Sequence, residues 1–436
     1  MISVSTGARP LAGQIAASLA VALCLPTGAL AATQIVPSIT IQTGSTDSVR
    51  LSSTDQEGAV ITTGTAGLVA RTVTETTEVR GSASVSYTDY AGADDSVKDI
   101  DSQQASALLR RTLPSISYGV VASFRRDGLL RLERASQIPN AADVQEPEPI
   151  DFAAVDEGDA TGFADGDIGG EDEIDAVGSQ IRRRFLQSSE YVQFRLNDRN
   201  RLRVSHSYAQ RSFETQAEQR GLRESDRHTI AAELSHDVDE RDSLSVNLSA
   251  SELNPQQFAT DTFNQFARYY QATVGWKARV TPVSRLTARV GISYVDSERN
   301  NDTGFVFMLQ GRRQMPRGNL SAQLRRAVQP TAFGQVAATD QLILGLSRKY
   351  SQRLSSSTQA RGLRRNKTRS DDDLQRSQFN FSHVFEYKLA RAWSARLGYE
   401  YRWVDRESSV AEDQGKSDSH TGYVGIAYRP VIGGAN

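Results

Sequence analysis

Histidine, serine and aspartate are the residues with which this chain could build a hydrolytic site. The sequence has five histidines, which are His206, His228, His236, His383 and His420. Such catalysis needs a nucleophile, a base and an orienting group at one spot, and no serine lies in a Gly-x-Ser-x-Gly turn. In the strands predicted below, three of the histidines point outward and two lie at loop edges. We therefore expect that the protein is not an enzyme.

Acidic side chains crowd residues 136–178, which hold thirteen Asp and Glu and no Lys or Arg. This composition is typical of a solvated loop without a packed core. Two other roles stay open. The segment could fold over the mouth of the barrel predicted below as a gate, or bind calcium at Asp165, Asp167 and Glu171. The stretch DGDIGGEDE lacks a full calcium-loop pattern, so we expect no metal site and no other cofactor.

The first 31 residues have the pattern of a cleaved secretory signal peptide. Residues 11–25 are mostly apolar, and Ala29-Leu30-Ala31 fits the small-x-small cleavage rule. Cleavage after Ala31 would remove Cys24, the one cysteine of the 436 residues. Beyond residue 31 the sequence has no apolar run of the roughly 18 residues that a membrane helix needs.

The net charge of the chain, −2, argues against nucleic acid as a partner.

The rest of the chain alternates apolar and polar residues with a period of two. In WSARLGYEYRW, from Trp393 to Trp403, every second residue is apolar or aromatic, and the residues between them are polar or glycine. A period of two places the two sets on opposite faces of a β-strand. The same alternation recurs in residues 244–250, 270–280, 286–294 and 422–428.

About eighteen such segments follow one another between residues 32 and 430. Short connections such as 239–242 and 389–391 alternate with longer polar ones such as 252–262 and 406–419. This organisation predicts an all-β fold, a transmembrane antiparallel up-and-down β-barrel of about 18 strands over residues 32–430, with a tail at 431–436. The acidic segment 136–178 would be an extracellular loop within it.

Two soluble alternatives would produce similar alternation, a β-solenoid and a β-sandwich. A solenoid needs a short repeated motif, and the sequence contains none. A soluble sandwich rarely carries aromatic residues at both ends of its apolar face. Here several aromatic residues fall near predicted strand ends, as in the interface girdles of membrane barrels. These residues are Tyr387, Trp393, Tyr401, Trp403 and Tyr428.

If the apolar faces point outward, the polar faces line the interior of the barrel. From Ile116 onward, parity assigns twelve basic residues to that interior: Arg125, Arg195, Arg203, Lys277, Arg279, Arg289, Arg312, Arg325, Arg361, Lys388, Arg396 and Arg402. It assigns four acidic residues, Glu233, Asp237, Glu386 and Glu400. Rings of Arg or Lys line pores for anions, and arginine binds carboxylates with a planar fork. The alternative is that these side chains only hydrate the wall and pair with acids.

Some polar residues fall on the predicted outward face. Charge at the middle of a bilayer costs roughly 2–4 kcal/mol for arginine and little near its surfaces. These residues should therefore lie near the rims, or the predicted register is wrong there. They are His206, His236, His383, Arg268, Arg326 and Asp340.

The C-terminal stretch LGYEYRWVDRESSVAEDQGKSDSHTGYVGIAYRP resembles the closing hairpin of the outer-membrane β-barrel porins encoded in Gram-negative exopolysaccharide loci. The matching residues are Tyr399, Tyr401, Arg402, Asp405, Ser408, Gly425, Tyr428 and Arg429. The opening IVPSITIQTGSTDSVRLS is also similar to the first strand and loop of that family. One departure is that the chain continues for eight residues beyond Tyr428, whereas outer-membrane proteins usually end on an aromatic residue.

This resemblance implies a conduit for secreted exopolysaccharide across the Gram-negative outer membrane. The basic interior favours an anionic polymer. Implied partners are outer-membrane lipid, the polysaccharide, the outer-membrane insertion machinery and a periplasmic polysaccharide export protein. Two other functions stay open, a general or anion-selective diffusion porin for small solutes and a structural or adhesive barrel.

Overall fold

A computed structural model describes ten stretches of the chain, which are residues 32–48, 58–92, 100–128, 182–214, 224–255, 267–297, 301–330, 336–366, 375–407 and 415–430. The predicted signal peptide 1–31, the acidic segment 136–178 with Asp165, Asp167 and Glu171, and the tail 431–436 lie outside these residues. No described residue is helical. The described residues therefore include no helix long and apolar enough to cross a membrane.

Eighteen β-strands account for nearly all of the described residues, and they centre on the segments that the alternation predicts. In chain order they are β1 Ala32–Thr46, β2 Ala59–Val73, β3 Thr77–Ala91, β4 Ile100–Thr112, β5 Ile116–Gly128, β6 Arg182–Arg195, β7 Asn200–Glu214, β8 Ser225–Asp237, β9 Asp242–Pro255, β10 Ala267–Thr281, β11 Ser284–Ser297, β12 Asn301–Met315, β13 Gly318–Pro330, β14 Val336–Lys349, β15 Leu354–Asn366, β16 Gln375–Lys388, β17 Trp393–Glu407 and β18 Gly415–Tyr428.

The strands form one closed antiparallel sheet. Each strand pairs with its neighbours in the sequence, and β1 also pairs with β18. Ile41, for example, lies opposite Gly64 of β2 and Ile426 of β18. Because the first and last strands are joined, the sheet has no free edge. The predicted 18-stranded up-and-down barrel is confirmed, and the two soluble alternatives are wrong.

All the connections at one end of the barrel are short turns, and those at the other end are longer except for the three residues 298–300 between β11 and β12. The turns at the short-turn end, of two to four residues each, are 74–76, 113–115, 196–199, 238–241, 282–283, 316–317, 350–353 and 389–392. Both described ends lie at this short-turn end, where the Arg429 N–H donates to the Ala392 carbonyl at 2.8 Å.

The predicted loop 406–419 is too long at both ends, because β17 continues to Glu407 and β18 begins at Gly415. Ser417 and Ser419 lie in this polar stretch and are of a residue type common in loops, but both side chains are buried on the inner face. Ser419 Oγ lies 2.9 Å from Thr46 Oγ1 across the closing seam. Serine hydroxyls satisfied in this way let the polar segment continue the strand.

The two faces of the sheet have opposite polarity. Outward side chains are apolar and exposed, as for Ile292 at 60% and Leu397 at 56% exposure, whereas inner side chains include Thr273 at 2% and Arg402 at 1%. A soluble barrel buries its apolar face, so this inversion is the architecture of outer-membrane β-barrels. The fold therefore presents polar and charged residues on its inner wall.

Candidate functional site: the inner face of the barrel

The structure places the predicted inward residues on the inner face, but their exposure differs. Arg289, Arg402 and Arg203 are buried, whereas Arg279 and Arg195 are exposed near the short-turn end. The inner face is therefore not a uniform ring of solvent-facing cations. The full predicted set on this face is Arg125, Arg195, Arg203, Lys277, Arg279, Arg289, Arg312, Arg325, Arg361, Lys388, Arg396, Arg402, Glu233, Asp237, Glu386 and Glu400.

One group of ion pairs lies on β7, β8 and β11. Arg289 Nη2 lies 3.5 Å from Glu233 Oε2, and their side chains are 1% and 9% exposed. Nearer the short turns, Arg201 Nη2 contacts both carboxylate oxygens of Asp237, at 2.7 and 2.9 Å. Arg289 and Glu233 meet across the interior from β11 and β8, two strands that are not adjacent in the sheet, whereas Arg201 and Asp237 pair between the adjacent strands β7 and β8. The inner wall can hold the buried charges of Arg289 and Glu233 because each has the other as its partner.

A second group lies on β16, β17 and the end of β18. Arg396 Nε and Nη2 each lie 2.9 Å from Glu386 Oε2, and Arg402 Nε lies 3.3 Å from Glu400 Oε1. Arg429, just beyond β18, places Nη1 3.9 Å from Glu386 Oε1. Its burial, and then the charge of Arg396, lower the pKa of Arg429 to about 10, and Glu386 opposes this shift.

Sequence reasoning missed several inner arginines near the strand ends. Arg211, Arg183 and Arg365 are all buried at 4% exposure or less. Arg201 and Arg285 lie on the same faces as the predicted Arg203 and Arg289. Extending the parity of β6, β7, β11 and β15 to their ends would have found all five. Basic residues therefore extend over more of the inner face than the sequence count indicated.

Inner aromatic and apolar residues were also missed. Tyr191 packs under Arg203, whose guanidinium carbon lies 3.9 Å from the ring centroid. An apolar cluster joins Leu253, Tyr269 and Val295 at the long-connection ends of β9, β10 and β11. These positions break the apolar-out rule, so alternation alone could not find them. The inner wall combines paired charges with local apolar packing.

A β-bulge interrupts the alternation of β10. The register shifts between Ala278, opposite Leu286, and Thr281, opposite Ser284. Two residues, Arg279 and Val280, therefore oppose the single residue Arg285. A bulge bends its strand and redirects side chains. The regular pairing of 270–280 thus continues as far as Ala278, and Arg279 lies within the bulge.

The polar residues predicted on the outward face do lie there, and each has a partner. Arg268 Nε lies 3.8 Å from Glu252 Oε2, and Arg326 Nε lies 3.5 Å from Asp340 Oδ1. Pairing across strands offsets the cost of charge on an apolar face. The predicted register is therefore right at these positions, and cross-strand pairing accounts for the charges.

The histidines also lie on the outward face. His383 Nδ1 is 2.7 Å from Thr358 Oγ1, and His236 Nδ1 is 2.8 Å from Asn200 Oδ1. The rings of His206 and His228 stack at 5.9 Å, and His420 Nδ1 lies 2.7 Å from Tyr399 Oη. The placement of His228 and His420 at loop edges is wrong, because both lie within strands, β8 and β18.

Aromatic residues gather toward both ends of the outward face. At the short-turn end, Trp393 and Tyr428 have ring centroids 4.8 Å apart. At the other end, Tyr270 and Tyr294 pair at 6.4 Å. Such girdles place amphipathic rings at the two surfaces of a membrane.

Among the described residues, no group of three or more His, Cys, Asp or Glu could hold a metal ion.

No protein-family profile and no curated protein sequence match this chain. Solved structures do match it. The siderophore receptor PirA from Pseudomonas aeruginosa is 11% identical, covering 91% of this chain and 80% of its own, with a TM-score of 0.42. The FrpB iron transporter from Neisseria meningitidis is 8% identical, covering 94% and 83%, with a TM-score of 0.42. The copper transporter OprC is 10% identical, covering 93% and 81%, with a TM-score of 0.41.

Proposed function

We propose that this barrel spans the outer membrane of a Gram-negative cell and conducts a secreted anionic exopolysaccharide. The observation that carries the proposal is the polarity of the closed sheet, apolar outward and basic inward. Large side chains such as Ile41 and Ile292 are more than half exposed on the outward face. Burying that face in lipid is favourable at roughly 25 cal/mol per Å².

The inner charges support an anionic cargo. Basic residues outnumber acidic ones there, and the acids Glu233, Asp237, Glu386 and Glu400 lie in ion pairs with arginines. An excess of positive charge on a polar wall favours anions over cations. The partners in this proposal are membrane lipid, the polysaccharide, the insertion machinery and a periplasmic polysaccharide export protein.

A second candidate is a structural or adhesive barrel that does not conduct. The burial of Arg289 and Arg402, each 1% exposed, favours it, because a buried side chain does not contact a passing solute. A general or anion-selective diffusion porin for small solutes is the third candidate. Conductance separates the first two, and the phenotype of a deletion strain separates export from general diffusion.

The test measures ion selectivity of the purified protein in a planar bilayer under a salt gradient. We expect discrete conductance and a reversal potential that shows anion preference. Replacing Arg279, Arg312 and Arg325 by Gln should reduce that preference, since these side chains are not among the buried ones. A barrel without conductance, or one that prefers cations, would contradict the proposal.

The same proposal makes a cellular expectation. A strain that lacks the gene should lose surface polysaccharide, and the wild-type gene on a plasmid should restore it. Normal polymer on the deletion strain would make a porin for small solutes the better explanation.

A further inference from the structure

A polar cavity of about 350 Å³ opens on the inner side of the short-turn end, between β6 and β11. Its lining has six basic and five acidic residues, with serine and threonine hydroxyls between them. Sites for small molecules have volumes of roughly 300–1,000 Å³. The cavity is therefore large enough to hold a small polar group, and its charges indicate which kind.

Most of the acids in this lining are engaged within the fold. Asp237 holds Arg201 through both oxygens at 2.7 and 2.9 Å, and Glu233 pairs with Arg289 at 3.5 Å. Asp242 Oδ1 accepts the Trp276 indole N–H at 3.1 Å. Each of these contacts either neutralises the charge of a carboxylate or gives one of its oxygens a hydrogen-bond donor.

Asp239, at the turn, accepts the backbone N–H groups of Arg241 at 2.6 Å and Asp242 at 2.7 Å. These hydrogen bonds, that of Arg241 first, lower the pKa of Asp239. Its carboxylate is thereby held in the turn rather than directed at a ligand.

Three of the six basic residues of the lining lie around the bulge of β10. Lys277 precedes the bulge, Arg279 lies in it, and Arg285 is the residue that the bulge faces on β11. A bulge redirects side chains, so three cations from two adjacent strands border one cavity. Guanidinium groups bind carboxylates through two parallel hydrogen bonds.

We propose that this turn-end cavity binds the carboxylate of an acidic sugar unit, with Lys277, Arg279 and Arg285 as its cationic contacts. Hydroxyls of Ser235, Ser243 and Thr287 line the same cavity and suit the hydroxyls of a sugar. The inference rests on the proposed function for its role. In that topology the short-turn end faces the periplasm, so the cavity is the first binding site that an outgoing acidic polymer meets.

The test measures binding of trigalacturonate to the purified full-length barrel in detergent by titration calorimetry, with neutral maltotriose as the comparison. A Lys277→Gln/Arg279→Gln variant should bind trigalacturonate at least tenfold more weakly than the wild type. The matched control is Arg353→Gln/Arg391→Gln, which removes two exposed positive charges from turns at the same end. The control should bind like the wild type.

A second pair of variants keeps all three cations. Ser243→Glu adds a negative charge to the lining and should also weaken binding, whereas Ser243→Gln should not. Trp276 lies on the outward face, but its indole N–H donates to Asp242 of the lining. Its fluorescence in a Trp393→Phe/Trp403→Phe background should therefore change on binding. Equal affinity for both sugars, or equal losses in the cavity and control variants, would overturn the proposal.

This test and that of the proposed function can fail separately. Binding of trigalacturonate together with normal polymer on a deletion strain would retain the acidic-sugar site and reject export. Lost polymer on a deletion strain without sugar binding would retain export and reject the cavity as a binding site.

Discussion

At the scale of single residues, the inner wall holds charge where water does not reach. Arg289 and Glu233 are nearly fully buried, with 3.5 Å between Nη2 and Oε2. Taking both ions out of water is costly, and their mutual attraction offsets that cost only while both are present. Such a pair does not by itself add stability, but the loss of one partner leaves the other charge uncompensated.

We therefore expect Arg289→Gln to lower the free energy of unfolding by about 3–5 kcal/mol, because Glu233 would remain buried without its ionic partner. The double variant Arg289→Gln/Glu233→Gln should recover much of that loss. Urea unfolding of the barrel in lipid vesicles, followed by tryptophan fluorescence, measures both.

Arg312→Gln is the matched control for this prediction, since Arg312 is also on the inner face but is only partly buried. It should change the free energy of unfolding by much less. If Arg289→Gln and Arg312→Gln lowered the free energy of unfolding equally, breaking the buried ion pair would cost no more than removing a partly buried arginine.

At the scale of elements, two inner tyrosines cover glycines on the neighbouring strand. Gly398 of β17 lies opposite Tyr423 of β18, and Gly119 of β5 lies opposite Tyr191 of β6. A Cβ added at Gly398 would meet the ring of Tyr423, and one at Gly119 would lie 2.5 Å from Tyr191 Cε1. Each tyrosine ring occupies the space above the glycine that lies opposite it. The glycine leaves this space free because it has no side chain.

Gly398→Val should destabilise the barrel by about 1–3 kcal/mol, because it forces Tyr423 out of its position in a packed wall. Gly422→Val is the control on the same strand pair, since Gly422 faces outward and a Cβ there meets nothing within 4 Å. The unfolding midpoint in urea of each variant checks this. If Gly422→Val lowered the unfolding midpoint as much as Gly398→Val, displacement of Tyr423 would not be the cause of the destabilisation.

At the scale of the whole molecule, closure of the sheet separates an outer from an inner environment. Leu397 and Ile292 are exposed on the outward face, and Arg312 and Lys277 lie on the inner one. In a lipid vesicle the first pair should contact acyl chains and the second pair should contact water. The sidedness can be measured residue by residue.

Single cysteines placed at these four positions should react differently with a membrane-impermeant maleimide. We expect Arg312→Cys and Lys277→Cys to be labelled in vesicles, and Leu397→Cys and Ile292→Cys to be labelled only after transfer to urea. Cys24, the one native cysteine, is replaced by Ser as background. Labelling of Leu397→Cys but not of Arg312→Cys in vesicles would reverse the assignment of the faces.

The strands, their number and the polarity of their faces could be predicted from the sequence. Each depends on a period of two within a single segment, as in residues 393–403, and on the lengths of the connections. The placement of Arg203, Arg289 and Arg402 on the inner face follows from the same local rule. Neither prediction needs knowledge of which strand lies beside which.

Only the tertiary structure decided what depends on contacts between strands. The closing contact of Thr46 with Ser419 joins residues 373 apart in the chain, and no local pattern encodes it. The bulge that sets Arg279 opposite Arg285 arises from the register of two neighbouring strands. The pairing of Arg289 with Glu233 and the turn-end cavity arise from how the closed sheet brings strands that are not adjacent around one interior. Alternation assigns a side chain to a face, whereas burial and charge pairing depend on what the adjacent strands place beside it.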